Sequence, residues 1–304
     1  MAGLKQLKLK RQSIMKTRQV TRAMEAVSAV KMRKAQERAL GGRAYATGAL
    51  NILNHVSTAV GLASHDLFKV RESGTLGVVI VTSDKGLAGS LNSAVLKKVE
   101  KLLTTKEYVN TEKVFICIGR RGHEFIQSRG LNVIHYEENK SDTFNEEDME
   151  RITTAILEQH KSNVTKVWNI VYTNFKSTFE QEAVSRQLLP LNKESLTQVI
   201  SGITPEAGKY SEEVEAPKAA AYTIEPNSDE VLDFLIPNLV NIFVYHTLLE
   251  TKASEHSARM VAMKNATDKA TELSHELLLK FNKARQAVIT SEVSEITSGI
   301  EAMK

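Results

Sequence analysis

The sequence is poor in residues that interrupt helices, and those it has are gathered in one place. All five prolines (Pro190, Pro205, Pro217, Pro226, Pro237) fall between residues 190 and 237. Proline lacks the helix donor and clashes with the preceding turn, so its absence elsewhere leaves both ends of the chain free to form long helices. A single cysteine, Cys117, excludes an intrachain disulfide and accords with a reducing compartment. There is no continuous run of about 18 apolar residues, so no segment is expected to span a bilayer. Residues 1–44 contain no Phe, Tyr or Trp, so the platforms that stack nucleic-acid bases are missing from this end.

Acidic residues are also scarce there. Residues 1–38 carry eleven Lys or Arg against Glu25 and Glu37, a net +9 in a chain whose total is +4. Residues 238–304 carry eight basic and eight acidic side chains and are neutral. The basic start is suited to an acidic protein surface, nucleic acid or anionic lipid. An Arg-rich, acid-poor start also suits a mitochondrial leader, but the helical pattern continues past residue 38, which a removable segment would not need.

What is present is periodicity. From Leu239 a 3-4 repeat steps through Ile242, His246, Leu249, Ala253, His256, Met260, Met263, Thr267, Ala270, Ser274, Leu277, Phe281, Ala284 and Val288. Eleven of these fifteen positions are apolar, and a 3.5-residue period of this length marks a coiled-coil helix. At about 1.5 Å per residue such a helix reaches roughly 90 Å, too long to lie within one domain. Leu4 to Leu40 is free of proline and glycine, with an apolar stripe expected at Leu4, Leu7, Ile14, Val20, Met24, Val27 and Val30. Gly41-Gly42 is expected to loosen this helix, and a further helical stretch runs from Tyr45 to about Leu67. The terminal helices are expected to pack antiparallel.

Between them, strands are expected at 76–82, 113–118, 132–136 and 166–172, with a fifth at 183–189. Helices at 90–103, 120–128 and 145–160 alternate with the first four. This order implies an α/β sandwich around a mainly parallel sheet. The expected division is an N-terminal coiled-coil helix at 1–67, a central α/β domain at 74–189, a loop-rich connection at 190–237 and a C-terminal coiled-coil helix at 238–304. Pro237 is placed near the start of the last helix, or kinks it.

The most enzyme-like feature is the turn Thr82-Ser-Asp-Lys-Gly-Leu-Ala-Gly-Ser-Leu-Asn92. A glycine-rich strand-to-helix turn can hold phosphate, yet this one matches neither GxxxxGK[ST] nor GxGxxG. It reads more readily as a tight turn with Ser90 or a neighbour capping the helix. Gly119-Arg-Arg-Gly122 is a weaker case of the same kind. Cys117, amid Phe115, Ile116 and Ile118, reads as a core thiol. His246 and His256 lack the i, i+4 spacing of a helical metal pair and read as seam residues. Glu292 and Glu295 read as a solvated or partner-facing edge. No catalytic constellation, metal site or cofactor is expected.

The run Phe281-Asn-Lys-Ala-Arg-Gln-Ala-Val-Ile-Thr-Ser-Glu-Val-Ser-Glu-Ile296 closely resembles the signature of the gamma subunit of F-type ATP synthase. Thr21–Lys34, Thr82–Gly89 and Ser254–Asp268 resemble further blocks of that family in the same order. The resemblance implies a long antiparallel coiled coil of the terminal helices with a central Rossmann-like α/β domain. It implies a non-catalytic rotor shaft that couples ion-driven rotation of the membrane c-ring to ATP synthesis or hydrolysis at the alpha/beta hexamer. The expected partners are the alpha, beta and epsilon subunits and the c-ring. The expected location is the cytoplasmic face of a bacterial plasma membrane, with the mitochondrial matrix side as the alternative. A basic coiled-coil nucleic-acid-binding protein and an enzyme using the 83–90 turn are the competing classes.

The resemblance also assigns roles. Met24 matches a methionine facing an acidic beta-subunit loop, with Arg22, Lys31, Arg33 and Lys34 near that acid. Arg285 and Gln286 match a pair contacting a beta-subunit catch loop. Arg259, Thr290 and Glu292 match positions tied to coupling or rotor stability. Ala88 and Ser291 depart from common family residues, and one cysteine excludes a redox-switching dithiol.

Overall fold

A computed structural model describes residues 2–60, 65–139, 142–162, 164–192 and 228–303. Most of the expected loop-rich connection therefore lies outside the described residues. The first helix, α1, runs unbroken over Ala2–Val60. The expected loosening at Gly41-Gly42 does not interrupt it. Each helical glycine costs about 1 kcal/mol against Ala, and the roughly 2 kcal/mol of the pair does not stop a helix already propagating on both sides. Leu67 lies not in this helix but in a 3-10 turn, Asp66–Phe68, where His65 Nδ1 accepts the Leu67 N–H at 3.2 Å.

The sheet has five strands: β1 (Thr75–Val81), β2 (Lys113–Ile118), β3 (Asn132–Glu137), β4 (Thr165–Phe175) and β5 (Gln181–Leu189). Their order is β3-β2-β1-β4-β5, parallel except where β5 runs antiparallel along β4. Helices α2 (Leu91–Leu103), α3 (Arg120–Gln127) and α4 (Glu146–Lys161) make the crossovers. Asn145 caps α4 through a reciprocal pair with Asp148, 2.7 and 3.3 Å. β1 is buried on both faces, so it is apolar throughout rather than alternating.

Side chains alternate across the sheet and build two cores. Leu76, Val78, Ile80, Phe115, Cys117 and Val171 meet Val95, Val99 and Ile126 of α2 and α3 on one face. Val79, Val81, Ile116, Ile118, Trp168, Ile170 and Tyr172 meet α4 and the last helix, α5 (Ser228–Ala302), on the other. Large side chains sealed there, such as Phe243, each contribute about 2–3 kcal/mol relative to exposure.

α5 starts at Ser228, ahead of the expected start at residue 238, with Pro237 inside the helix. The proline withholds one donor from the exposed Asp233 turn, where water can replace it. By length and composition α5 would qualify to cross a membrane. In the folded chain its Leu232, Ile236, Leu239, Val240, Phe243, Val244 and Leu248 are instead core residues against the sheet.

The chain divides into two compact units, one of Ala29–Ala258 and one of Met1–Ser28 with Arg259–Lys304. The first contains the sheet. The second is a pair of antiparallel helical segments from α1 and α5. None of the fifteen positions in the 3-4 repeat is exposed. The expected stripe on α1 needs correction, because Val20, Val27 and Val30 are more than half exposed. The inward face carries Leu4, Leu7, Ile14, Thr21, Met24, Ser28, Met32, Ala35 and Ala39. Small residues occupy much of it, so hydrophobicity alone finds Leu4, Leu7, Ile14 and Met24 but misassigns the three valines.

Candidate functional site

Met24, Arg259, Arg285, Gln286, Thr290 and Glu292 all belong to the helical-pair unit. Its seam is fixed by Thr21, whose hydroxyl meets that of Thr267 at 2.7 Å. Met263, Ala270, Ser274 and Leu277 are buried along the same seam. Ala2 lies nineteen residues before Thr21, so its level on the antiparallel partner is nineteen residues after Thr267, at Gln286. From Ile289 onward every described side chain is exposed. The end of α5 therefore continues alone, and Ile289, Val293, Ile296 and Ile300 present aliphatic surface there.

The structure places the candidate residues at distinct levels rather than in one cluster. Met24 is half-buried beside the seam, and its level on α5 is Lys264, roughly 30 Å along the pair from Arg285. Arg285, Gln286, Thr290 and Glu292 are exposed. The Thr290 hydroxyl donates to the Gln286 carbonyl at 2.9 Å, an ordinary helical back-bond that leaves the Gln286 amide free of it. Arg259 is buried and engaged within the chain. Of the nearby basic residues, Arg22, Arg33 and Lys34 are exposed.

Lys31 is committed elsewhere, to a junction the sequence did not reveal. Its Nζ meets Asp142 Oδ2 at 2.7 Å, while His256 Nε2 meets Oδ1 at 3.1 Å. Arg38 donates to the Asp142 carbonyl at 2.9 Å, and Lys252 to the Asn139 carbonyl at 2.8 Å. Burial opposes ionisation of Asp142, but the Lys31 hydrogen bond and the charges of His256, Lys31 and Lys252 hold its pKa below the ordinary value. The segment after β3 is thus tied to α1 and to α5. His256 joins this junction besides lying on the seam.

The turn after β1 is closed on itself. Asn92 Oδ1 accepts the Ser83 N–H at 3.0 Å and its amide donates to Ser83 Oγ at 2.8 Å. Asp84 Oδ1 accepts the Arg120 N–H at 2.7 Å, and Thr82 Oγ1 accepts that of Gly122 at 2.8 Å. The side chains of β1's end thereby satisfy donors at the start of α3. Ser90 makes no side-chain cap, contrary to expectation. Cys117 is fully buried, and burial pushes its thiol up to about 12. Among the described residues no cluster of three or more His, Cys, Asp or Glu could hold a metal.

A family model described as ATP synthase matches residues 3–303. The ATP synthase gamma chain of Cupriavidus necator is 38% identical over 303 residues, covering all of both chains. That of Heliobacterium modesticaldum is 33% identical over the same full span. The chain belongs to the ATP synthase gamma chain family. Its fold agrees with solved members of such assemblies. A chain of the Euglena gracilis mitochondrial ATP synthase rotor matches with a TM-score of 0.62 at 17% identity, over 95% of this chain and 99% of that one. A chain of the Tetrahymena thermophila central stalk and c-ring structure gives 0.56 at 22%, over 81% and 99%. The comparisons lend nothing to the nucleic-acid reading.

Proposed function

We propose that this chain is the central rotor shaft of an F-type ATP synthase, coupling ion-driven rotation of the membrane c-ring to ATP synthesis or hydrolysis at the alpha/beta hexamer. The observation that carries this reading is full-length family membership joined to an exposed helical pair with a solitary tip. A shaft needs length and stiffness, which two packed helices supply. It also needs a surface that touches its sleeve without locking, which exposed single aliphatics supply better than buried ion pairs.

In this reading the chain itself performs no chemistry. ATP turnover belongs to the beta subunits, and the sheet-containing part sits against the epsilon subunit and the c-ring. The chain is then peripheral at the cytoplasmic face of a bacterial plasma membrane, held there by the complex. The 1–67 and 238–304 segments serve as the shaft, 74–189 as the foot, and 190–237 as the connection. Met24 with Arg22 contacts the hexamer at one level, and Arg285 with Gln286 at another. Arg259, Thr290 and Glu292 support coupling or shaft integrity.

The test is reconstitution. The isolated chain should neither bind nor hydrolyse ATP, but should support sustained hydrolysis when mixed with alpha and beta subunits. Failure to form any complex with them would overturn the assignment. Within the complex, replacing Arg285 and Gln286 together with Ala should lower coupled turnover several-fold while leaving the chain's melting unchanged, since both are exposed. Normal turnover in the double variant would remove these two residues from the contact.

A further inference from the structure

Among the interior polar groups, those around Glu250 belong to the unit that contains the sheet. Glu250 follows the last apolar core residues of α5 and lies on the stripe Phe243, Thr247, Glu250, Ser254, Ser257. That stripe faces the sheet: Phe243 is core, Ser254 Oγ donates to the Thr173 carbonyl at 3.2 Å, and Ser257 Oγ to that of Thr178 at 2.5 Å. Glu250 is only 5% exposed, and Tyr172 of β4 is sealed beside it. On β5, Arg186 pairs with Ile170, diagonal to Tyr172 and its partner Val184. The Arg186 guanidinium lies over the Tyr172 ring at 5.5 Å.

These groups approach one another without completing hydrogen bonds. Both Glu250 carboxyl oxygens, the Tyr172 hydroxyl and Arg186 Nη1 are buried with no partner in bonding geometry. An ionised carboxylate so placed would want several donors and a bidentate guanidinium. Here Arg186 is engaged with the ring face. A neutral carboxylic acid fits better, because it carries its own donor and no charge to desolvate.

We propose that Glu250, with Tyr172 and Arg186, forms a proton-binding site in the seat of α5 on the sheet, and that the bound proton holds that seat closed. Burial raises the Glu250 pKa to about 7, against the opposing Arg186 charge and the Tyr172 hydroxyl. Tyr172 is itself held well above its ordinary value, first by burial and then by Glu250, so it stays a neutral donor. Further polar groups lie close by along α5 itself. His246 lies one turn before it, and Lys252 pairs with Glu255 at 3.8 Å on the neighbouring face. Because the native pKa lies above the unfolded one, the native chain binds the extra proton. The stability that Glu250 contributes is then fully present below the unfolded carboxylate value and is lost as pH rises through about 7.

The experiment is an infrared titration of the full-length chain from about pH 5 to about pH 9, paired with thermal melting at each pH. The expected result is a protonated-carboxyl C=O band that disappears with a midpoint of about 7 and is absent from Glu250→Gln. Melting of the wild type should fall across the same range relative to Glu250→Gln. Arg186→Gln should move the midpoint upward by removing the opposing charge, and this arm stands even if Glu250→Gln fails to fold. A wild-type band that vanishes entirely in the ordinary carboxylate range, or one that persists unchanged in Glu250→Gln, overturns the proposal. So does an Arg186→Gln midpoint equal to the wild type's.

Discussion

Gly77 sits in β1 directly beside Trp168 of β4, its parallel register partner. A Cβ at residue 77 would fall 2.3, 2.5 and 2.6 Å from indole atoms Cδ2, Cε3 and Cε2. Carbon atoms pack at about 3.5–4.0 Å, so Gly77→Ala demands a shift of roughly 1 Å. The ring cannot swing out, being fully buried and held by Nε1 donating to Thr165 Oγ1 at 3.0 Å. Moving it forfeits that bond, about 1 kcal/mol, and overpacks a filled interior, about 1–3 kcal/mol. The methyl returns about 0.5–1 kcal/mol by restricting the unfolded chain. The net expected loss is about 1–3.5 kcal/mol. Urea unfolding followed by fluorescence suits the question, because Trp168 is the chain's one tryptophan and reports from the strained position itself. Gly299→Ala, where nothing lies within 4 Å, is the matched control and should be neutral or stabilising. A Gly77→Ala chain within about 0.5 kcal/mol of wild type, with unshifted emission, would refute the steric argument.

Gly119→Ala should be worse, because φ is +101° and the new Cβ would lie 2.1 Å from the Thr82 carbonyl oxygen, a backbone atom. A loss above about 4 kcal/mol is expected, visible as a collapsed urea midpoint or soluble yield, and a wild-type midpoint would contradict it. The Cys117 thiol, buried and raised to about 12, should resist a disulfide reagent at mildly alkaline pH until denaturant is added; prompt reaction of the native chain would show that the core opens. Asp142→Asn should remove about 0.5–1 kcal/mol at neutral pH and low salt, the partly exposed Lys31 pair being screened by water. Because the Asp142 pKa is depressed, its contribution is present above the ordinary 3.8 and is lost as pH falls through the lowered value. An Asp142→Asn chain that keeps the wild-type acid limb would exclude the junction from it.

The strands were legible because they are short apolar runs bounded by turn residues, and β1 is apolar on both faces. The reversed direction of β5 was not, because Gln181–Leu189 is a half-exposed edge with no apolar alternation to orient it. On α1 the expected stripe holds at Leu4, Leu7, Ile14 and Met24 and fails at three valines, for a related reason. Thr21, Ser28, Ala35 and Ala39 win the inward positions by size, while Val20, Val27 and Val30 are left outside. The start of α5 was set too late because Pro237 reads as a boundary, whereas it lies within the helix. Among the proposed contact positions, Arg285 and Gln286 are reachable only through family likeness, since an exposed helical residue carries no structural mark. Asp142 and Glu250 were not reached at all. Their partners are remote in sequence, His256 lying 114 residues from Asp142, so only the fold assembles them.

Along α5 the means of burial changes in a direction that suits a shaft. Leu232 to Leu248 are anchored by apolar core, where slippage would expose large side chains to water. From Glu250 to Arg259 the buried side chains are largely polar, and Lys252, Ser254 and Ser257 among them donate to the Asn139, Thr173 and Thr178 carbonyls. From Met263 to Leu277 the seam narrows to a few small or flexible residues. Beyond Arg285 no described residue is basic, and Glu292, Glu295 and Glu301 leave the tip acidic, whereas residues 1–38 carry +9. Ile289, Val293, Ile296 and Ile300 recur at steps of three and four, a narrow aliphatic stripe among serines and threonines. Dispersion contacts lack the sharp directionality of a hydrogen bond, so such a stripe can slide on an apolar collar at nearly equal energy over many angles. A charged pair at the same place would deepen one angle over the rest. Firm attachment at one end and weakly directional contact at the other are what turning under load requires, and α5 carries both in one uninterrupted helix.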